Sequence, residues 1–466
     1  MRAVLHRIAV PVVLSLGLTS AWAQSPSTDA AQAKPESKSE SKPRYANMPD
    51  EAVPYRRFTK PYKEWFVDSD TLGYYGAARS RPDGDLSKMS EVAIGFLGPL
   101  ENDPESIFGI PMLHGAELAI EDANSLGGYH GKPFALKIHH DEDWEVVNRS
   151  ARWGSTSTDI VKMLFDENCW GMLGSIDGQS THIALRVSLK IELPIMDTGT
   201  TDPTVTETRI PWVMHDFPDD RQQGYALADY VFNQRHLKRI GVLRTQARYA
   251  RMGDVKFEDE ARRLGHQVIL EVKFRRGDQD FSKQLRMMQA ARIEGLAIWG
   301  ESREAALILK QMRDMGMTQP VFASSRVAYP ELLKVAGPAA EGLVATVAMD
   351  PTRQEKKWTD FEQRYRQKFN EEPDPYAAHA YDGMSILIGA IRKAGLNRGR
   401  IMDALREYEM KSYDGVAGRA VFDYTLNNVA PVTMTQVRDG KFVYWKSEIR
   451  RPEGSKPVAE NRPIAP

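Results

Sequence analysis

From residue 91 onward, short apolar runs alternate with amphipathic ones. The run 91–97 (EVAIGFL) reads as a strand and stops at Gly98-Pro99. Residues 110–124 follow with Leu113, Ala116, Leu118, Ala119, Ile120 and Ala123 at helical spacing, ended by Gly127-Gly128. The same alternation predicts strands at 134–140, 170–173 and 193–196, with helices at 146–165 and 180–190. The pattern restarts with a strand at 212–217 and a helix at 222–234. It continues with strands at 239–244, 268–274, 296–299 and 321–323 and helices at 254–264, 281–292 and 305–315. A strand at 342–349 is expected to return to the first half, where helices 356–369 and 376–393 follow. Strands are expected at 420–424 and 432–437, and Asp439-Gly440 signals a tight hairpin. Strand–helix repetition predicts an α/β fold of doubly wound parallel sheets, and two similar halves predict two lobes.

The first 90 residues follow other rules. Arg2, His6 and Arg7 precede an apolar stretch at 8–20, and Ala21-Trp22-Ala23 fits cleavage before Gln24, so residues 1–23 read as a signal peptide. The stretch is short for a membrane span, and no cysteine follows it to carry a lipid. The mature chain is therefore expected in the periplasm. Residues 24–43 contain no large apolar side chain and cannot supply a core. The extension 44–90 is dense in aromatics, among them Tyr45, Tyr55, Trp65, Phe66 and Tyr75. It reads either as an arm against its own domain or as a docking segment for a protein partner.

Composition narrows the function classes. The chain has 466 residues, 42% hydrophobic and 27% charged, in keeping with two or three soluble domains. A formal net charge of -1 gives no electrostatic support for a nucleic-acid partner. The lone Cys169 excludes an intrachain disulfide and reads as a core thiol. His139, His140, Asp141, Glu142 and Asp143 are ligand types for a metal, but successive residues at a strand end point to opposite faces, so a solvated loop is expected. There is no GxSxG, HExxH, P-loop or GxGxxG pattern. Neither a cofactor nor a catalytic metal is indicated, and binding is favoured over catalysis.

In open parallel sheets, ligands sit at the carboxyl ends of strands. That points to loops 98–109, 175–181, 197–202, 245–253, 300–304 and 324–329. Two are suited to an anion: Gly174-Ser175-Ile176-Asp177-Gly178-Gln179-Ser180-Thr181 and Asp197-Thr198-Gly199-Thr200-Thr201-Asp202. Glycine admits a ligand close to the backbone, where amides and hydroxyls donate to a carboxylate. The same residues also serve as ordinary helix caps.

From about residue 91 to 445 the chain resembles periplasmic binding proteins of the branched-chain amino-acid type, the Leu/Ile/Val-binding-like receptors of ABC importers. The segment from Gly115 to Gly128 (GAELAIEDANSLGG) looks like the family's first-helix signature, and Gly131-Lys132 leads into the second strand. Leu193-Pro194-Ile195-Met196 and the helix opening Tyr376-Ala377, with Tyr381-Asp382-Gly383, carry the rest of the likeness. The resemblance implies a type I periplasmic binding fold, with three crossings near 216–220, 345–350 and 423–430. Lobe 1 is then expected at 91–216 and 346–425, lobe 2 at 217–345 and 426–450, and a tail at 451–466. It also implies a small-molecule ligand enclosed by lobe closure and a permease partner in the inner membrane.

Carried over residue by residue, the resemblance puts the first-lobe grip on Gly178, Ser180, Gly199 and Thr201 and an aromatic on Phe108. It puts a carboxylate near Asp220 and the second-lobe tyrosine on Tyr249. The acidic residue that commonly meets an amino group falls about Ser325, next to Arg326. That departure favours a carboxylate-bearing organic solute, amino-acid-like or an aromatic or other organic acid. Two rival readings are a sensory binding protein reporting to a signalling partner and an α/β hydrolase.

Overall fold

The structure is a computed structural model that describes residues 81–141 and 149–447. The signal peptide, the aromatic extension up to residue 80 and the tail lie outside the described residues, as do Glu142 and Asp143.

The first half runs β1 (Val92–Gly98), α1 (Ser106–Ser125), β2 (Phe134–His140), α2 (Arg149–Phe165), β3 (Met172–Leu173), α3 (Gly178–Ile191), β4 (Ile195–Asp197), the single turn α4 (Thr204–Glu207) and β5 (Val213–His215). These strands form one parallel sheet in the order β2-β1-β3-β4-β5. The 212–217 run, expected to restart the pattern, is thus the edge strand of the first sheet.

The second half runs α5 (Asp220–Ala228), β6 (Ile240–Thr245), α6 (Arg248–Arg263), β7 (Val268–Phe274), α7 (Ser282–Ala290), β8 (Gly295–Trp299), α8 (Ser302–Asp314), β9 (Val321–Ala323), α9 (Pro330–Ala336) and β10 (Val344–Val347). Then come α10 (Lys356–Phe369), α11 (Pro375–Ala394), α12 (Arg398–Arg406), β11 (Ser412–Asp414), β12 (Arg419–Val421), β13 (Thr433–Arg438) and β14 (Lys441–Lys446). The second sheet has the order β14-β13-β10-β9-β8-β6-β7, parallel except for the β13 and β14 pairings.

Three boundaries differ from expectation. β10 does not return to the first lobe: it pairs with β9 and β13, so the chain leaves the second sheet after Val347. Residues 426–428, expected in lobe 2, run beside β5, where His215 N donates to Leu426 O and Asn428 N to His215 O. Residues 419–421 pair with β11 in a small separate hairpin. For β10 an apolar run of the right length fits either sheet, and backbone pairing with β13, about 90 residues along the chain, helps decide.

Helices α11 and α12 return to the first sheet and share its core with Phe96, Met112, Leu173 and Met196. α11 lies so close on α1 that a Cβ at Gly115 would stand 2.0 Å from Ala377 O. The hairpin at Asp439-Gly440 is present, with φ of 50° and 68° at the two turn residues, the left-handed pair that a two-residue hairpin needs. Among the described residues, no helix is long and apolar enough to cross a membrane.

Candidate functional site

The carboxyl ends of both sheets face one cleft, and the predicted loops meet there. On the first lobe, Asp177 caps α3 by accepting from Gln179 N at 2.8 Å and Ser180 N at 2.9 Å. The Ser180 hydroxyl donates to Asp141 Oδ1 at 2.7 Å, and the Ser175 hydroxyl reaches the other Asp141 oxygen. Gly178 faces Asp202, whose Oδ2 would lie 2.7 Å from a Cβ there. In the next loop Asp197 Oδ1 accepts from the Gly199 and Thr200 amides, each at 3.2 Å. Thr201 Oγ1 donates to Asp220 Oδ2 at 3.2 Å, and Asp220 N donates to Thr201 O at 2.8 Å. Burial, then Asp219 and Asp202, push the Asp220 carboxyl well above its ordinary range. Several donors expected to grip an anion are therefore engaged by buried aspartates.

The charged centre lies on the other side. Arg326 sits in the short 3-10 turn Ser325–Val327 after β9 and is only 2% exposed. Its guanidinium lies 4.0 Å from the Tyr249 ring centroid and 5.0 Å from that of Phe108. Its Nη1 donates to Glu105 Oε1 at 2.8 Å, and Arg276 Nη2 donates to the same oxygen at 2.9 Å. Glu301 Oε1 lies 3.5 Å from both guanidiniums. The two acids differ accordingly. Burial raises both, but for Glu105 the close guanidiniums outweigh it and hold the carboxyl at about 2. For Glu301 burial wins and the carboxyl is raised, because its contacts are longer and Glu105 is near. The two guanidiniums thus share Glu105 closely and Glu301 at longer range.

Several buried polar atoms in this chamber have no hydrogen-bond partner: Tyr249 Oη, Arg326 Nε, Ser324 Oγ, Glu301 Oε2 and Tyr376 Oη. Buried polar groups normally find partners, so such a convergence marks a place built for a polar ligand. Glu105, at the start of α1, belongs to the first lobe, so Arg276 and Arg326 tie the lobes across the cleft. Arg248 does the same with Asp202 Oδ2 at 2.6 Å.

Phe108, Tyr249 and Arg326 are thus brought together, whereas Thr201 pairs with Asp220 at the start of α5, just past the first crossing. Ser325 turns away from the guanidinium into an adjoining cavity, and its amide donates to Gln223 Oε1 at 3.4 Å. Sequence reasoning missed Glu105, Glu301 and Arg276. The first two lie in predicted loops, where a buried acid carries no local mark. Arg276 follows β7, outside the six candidate loops.

Other candidates fall to ordinary roles. His139 bonds Asp159 and Glu167 at 3.2 and 3.0 Å, while His140 Nδ1 accepts from Leu100 N at 3.0 Å, so the pair diverges. Among the described residues, Asp254, Glu258 and Glu271 are close enough to hold a metal ion. Arg244 already lies among them, 3.1 Å from Asp254 and 2.5 Å from Glu271. Cys169 is fully buried, and burial pushes its thiol up to about 12.

Comparison with known proteins agrees with this architecture. The family model described as periplasmic binding protein matches residues 91–441. The Leu/Ile/Val-binding protein homolog 1 of Brucella suis is 26% identical over 316 residues, covering 67% of this chain and 81% of that one. A leucine binding protein from Thermotoga maritima superimposes with a TM-score of 0.67 at 24% identity, covering 76% of this chain and 97% of the other. A solute binding protein of an ABC transporter from R. palustris, in complex with benzoate, superimposes with a TM-score of 0.66 at 15% identity, over 76% and 96% of the two chains. With the match spanning both lobes and all three crossings, the chain belongs to the periplasmic binding protein family.

Proposed function

We propose that this chain is the periplasmic receptor of an ABC importer, exported with cleavage before Gln24, and that it captures a small carboxylate-bearing organic solute by lobe closure. The observation that carries the reading is Arg326. It is a fully buried guanidinium with an unpartnered Nε, set between the rings of Tyr249 and Phe108. A carboxylate there exchanges charge-assisted hydrogen bonds with Arg326 and leaves its apolar body against the two rings. Arg326 Nε and Tyr249 Oη, both buried and without a partner, offer two donors to one carboxylate. Neighbours of this fold include a leucine binding protein and a receptor in complex with benzoate, so the scaffold accepts carboxylates with and without an amino group. Thr201, with the loop residues Gly178, Ser180 and Gly199, closes the opposite wall, and Asp220 backs Thr201.

A thermal-shift screen of organic acids, amino acids and amides identifies the ligand class, since a solute that binds only the native state raises its melting temperature. Isothermal titration of Arg326→Met with the acid so found should show a loss of about 2–5 kcal/mol, the range for truncating one side of a buried charged hydrogen bond. Wild-type affinity in a folded Arg326→Met protein, or a screen answered only by zwitterions, overturns the reading.

A further inference from the structure

Beside the charged chamber lies a cavity of about 390 Å³, within the range of small-molecule sites. Phe108 separates the two: its ring meets Tyr329 at 5.3 Å and Tyr376 at 5.0 Å, both of which line the cavity. The wall is continuous across the molecule. Ile107 and Tyr376 come from the first lobe, Tyr329 and Tyr444 from the second, and Val347 and Met349 from the segment that crosses between them.

Its chemistry is unlike that of the chamber. Phe217, Tyr329, Trp358, Tyr376, Phe442 and Tyr444 are in the lining, and the charged groups there are all carboxylates: Glu362, Glu372 and Asp374. Among the described residues, no lysine, arginine or histidine lines it. Glu362 and Glu372 are already paired with Arg366, at 3.0 and 2.7 Å. Asp374 instead accepts from two neutral donors, the Tyr329 hydroxyl at 3.1 Å and the Ala377 amide at 2.9 Å.

We propose that this cavity is a second binding site, for a small organic cation whose ammonium group meets Asp374 among the aromatic rings. Ring faces attract an ammonium ion, and a desolvated cation needs a counter-charge, which Asp374 supplies. An anion or a zwitterion would meet carboxylates and no cationic group. Burial pushes the Asp374 carboxyl up to about 7, so an arriving cation also favours its ionised form. The site stands whether or not the chamber takes an organic acid.

Isothermal titration of the full chain at pH 8 with choline and with benzyltrimethylammonium tests it, alongside 3,3-dimethylbutan-1-ol, the uncharged isostere of choline. At least one cation should bind saturably, and the alcohol at least tenfold more weakly than choline or not at all. Asp374→Asn should weaken cation binding tenfold or more. Asparagine also caps a helix, so α11 should keep its start, and a melting curve checks the fold. The same variant should bind the chamber's acid as the wild type does, which separates this proposal from the receptor reading. The proposal is overturned if neither cation binds, if the alcohol binds as tightly as choline, or if folded Asp374→Asn binds the cation unchanged. The cation-against-alcohol comparison needs no variant and decides the matter should Asp374→Asn not fold.

Discussion

Glu105→Gln tests the charge logic of the chamber most sharply, because two quantities should move in opposite directions. Glu105 receives Arg326 at 2.8 Å and Arg276 at 2.9 Å, and its carboxyl is held at about 2 against an ordinary 4.5. That depression corresponds to about 3 kcal/mol of interaction favouring the ionised, folded form. The folded value is lowered, so this stability is fully present above about pH 4.5 and fades as the pH falls toward 2. Urea denaturation should therefore find the variant about 3 kcal/mol less stable at pH 7, with the two proteins converging near pH 2. Binding should move the other way. Glutamine carries no charge to compete for the guanidiniums, so the chamber becomes more positive and the organic acid binds about tenfold tighter, about 1.4 kcal/mol. Titration calorimetry at pH 7.4 reads this directly. If Glu105→Gln weakens acid binding as much as Arg326→Met does, Glu105 meets the ligand itself and the carboxylate reading of the chamber is wrong. Equal stability at pH 7 would show that the ion pairs across the cleft contribute nothing.

Tyr249→Ala and Thr201→Ala should each weaken binding of the acid by about 1–3 kcal/mol while the fold survives, with a melting curve run beside the titration. Wild-type affinity in both would misplace the cleft. Gly115→Ala should destabilise the first lobe by about 1–3 kcal/mol through overpacking, since the added Cβ would stand 2.0 Å from a backbone oxygen of α11. An unchanged denaturation midpoint would show that the two helices separate freely. Small-angle scattering should record a smaller radius of gyration on saturation with the acid, as the lobes close about the three crossings; an unchanged radius in a sample that starts open counts against closure.

The order of elements was legible because its signals are local. Alternating runs with glycine and proline between them located nearly every strand of both sheets, and Asp439-Gly440 announced its hairpin from two residues. Sheet membership was less legible. The segment 342–349 is apolar as expected, yet which sheet it joins depends on β13, about 90 residues along the chain, while the run at 420–424 folds back on a short neighbouring strand that carries little local signal. The site was read only in part. Tyr249, Phe108 and Arg326 were placed by family resemblance and do converge. Glu105, Arg276 and Glu301 were not found, because a charged residue in a loop is expected to stand in water.

Sequence alone determined the α/β class, the two-lobed repetition, the export signal as an expectation and the loops from which a site had to be drawn. Hydrophobic periodicity and targeting composition act over tens of residues and survive without tertiary context. Tertiary structure alone decided that Glu105 meets Arg276 and Arg326, partners 171 and 221 residues away. It likewise decided that Ser325 and Arg326, adjacent in the chain, face two compartments of opposite chemistry. Burial and long-range pairing set the charge state of an ionisable group, and neither is encoded in the residues beside it.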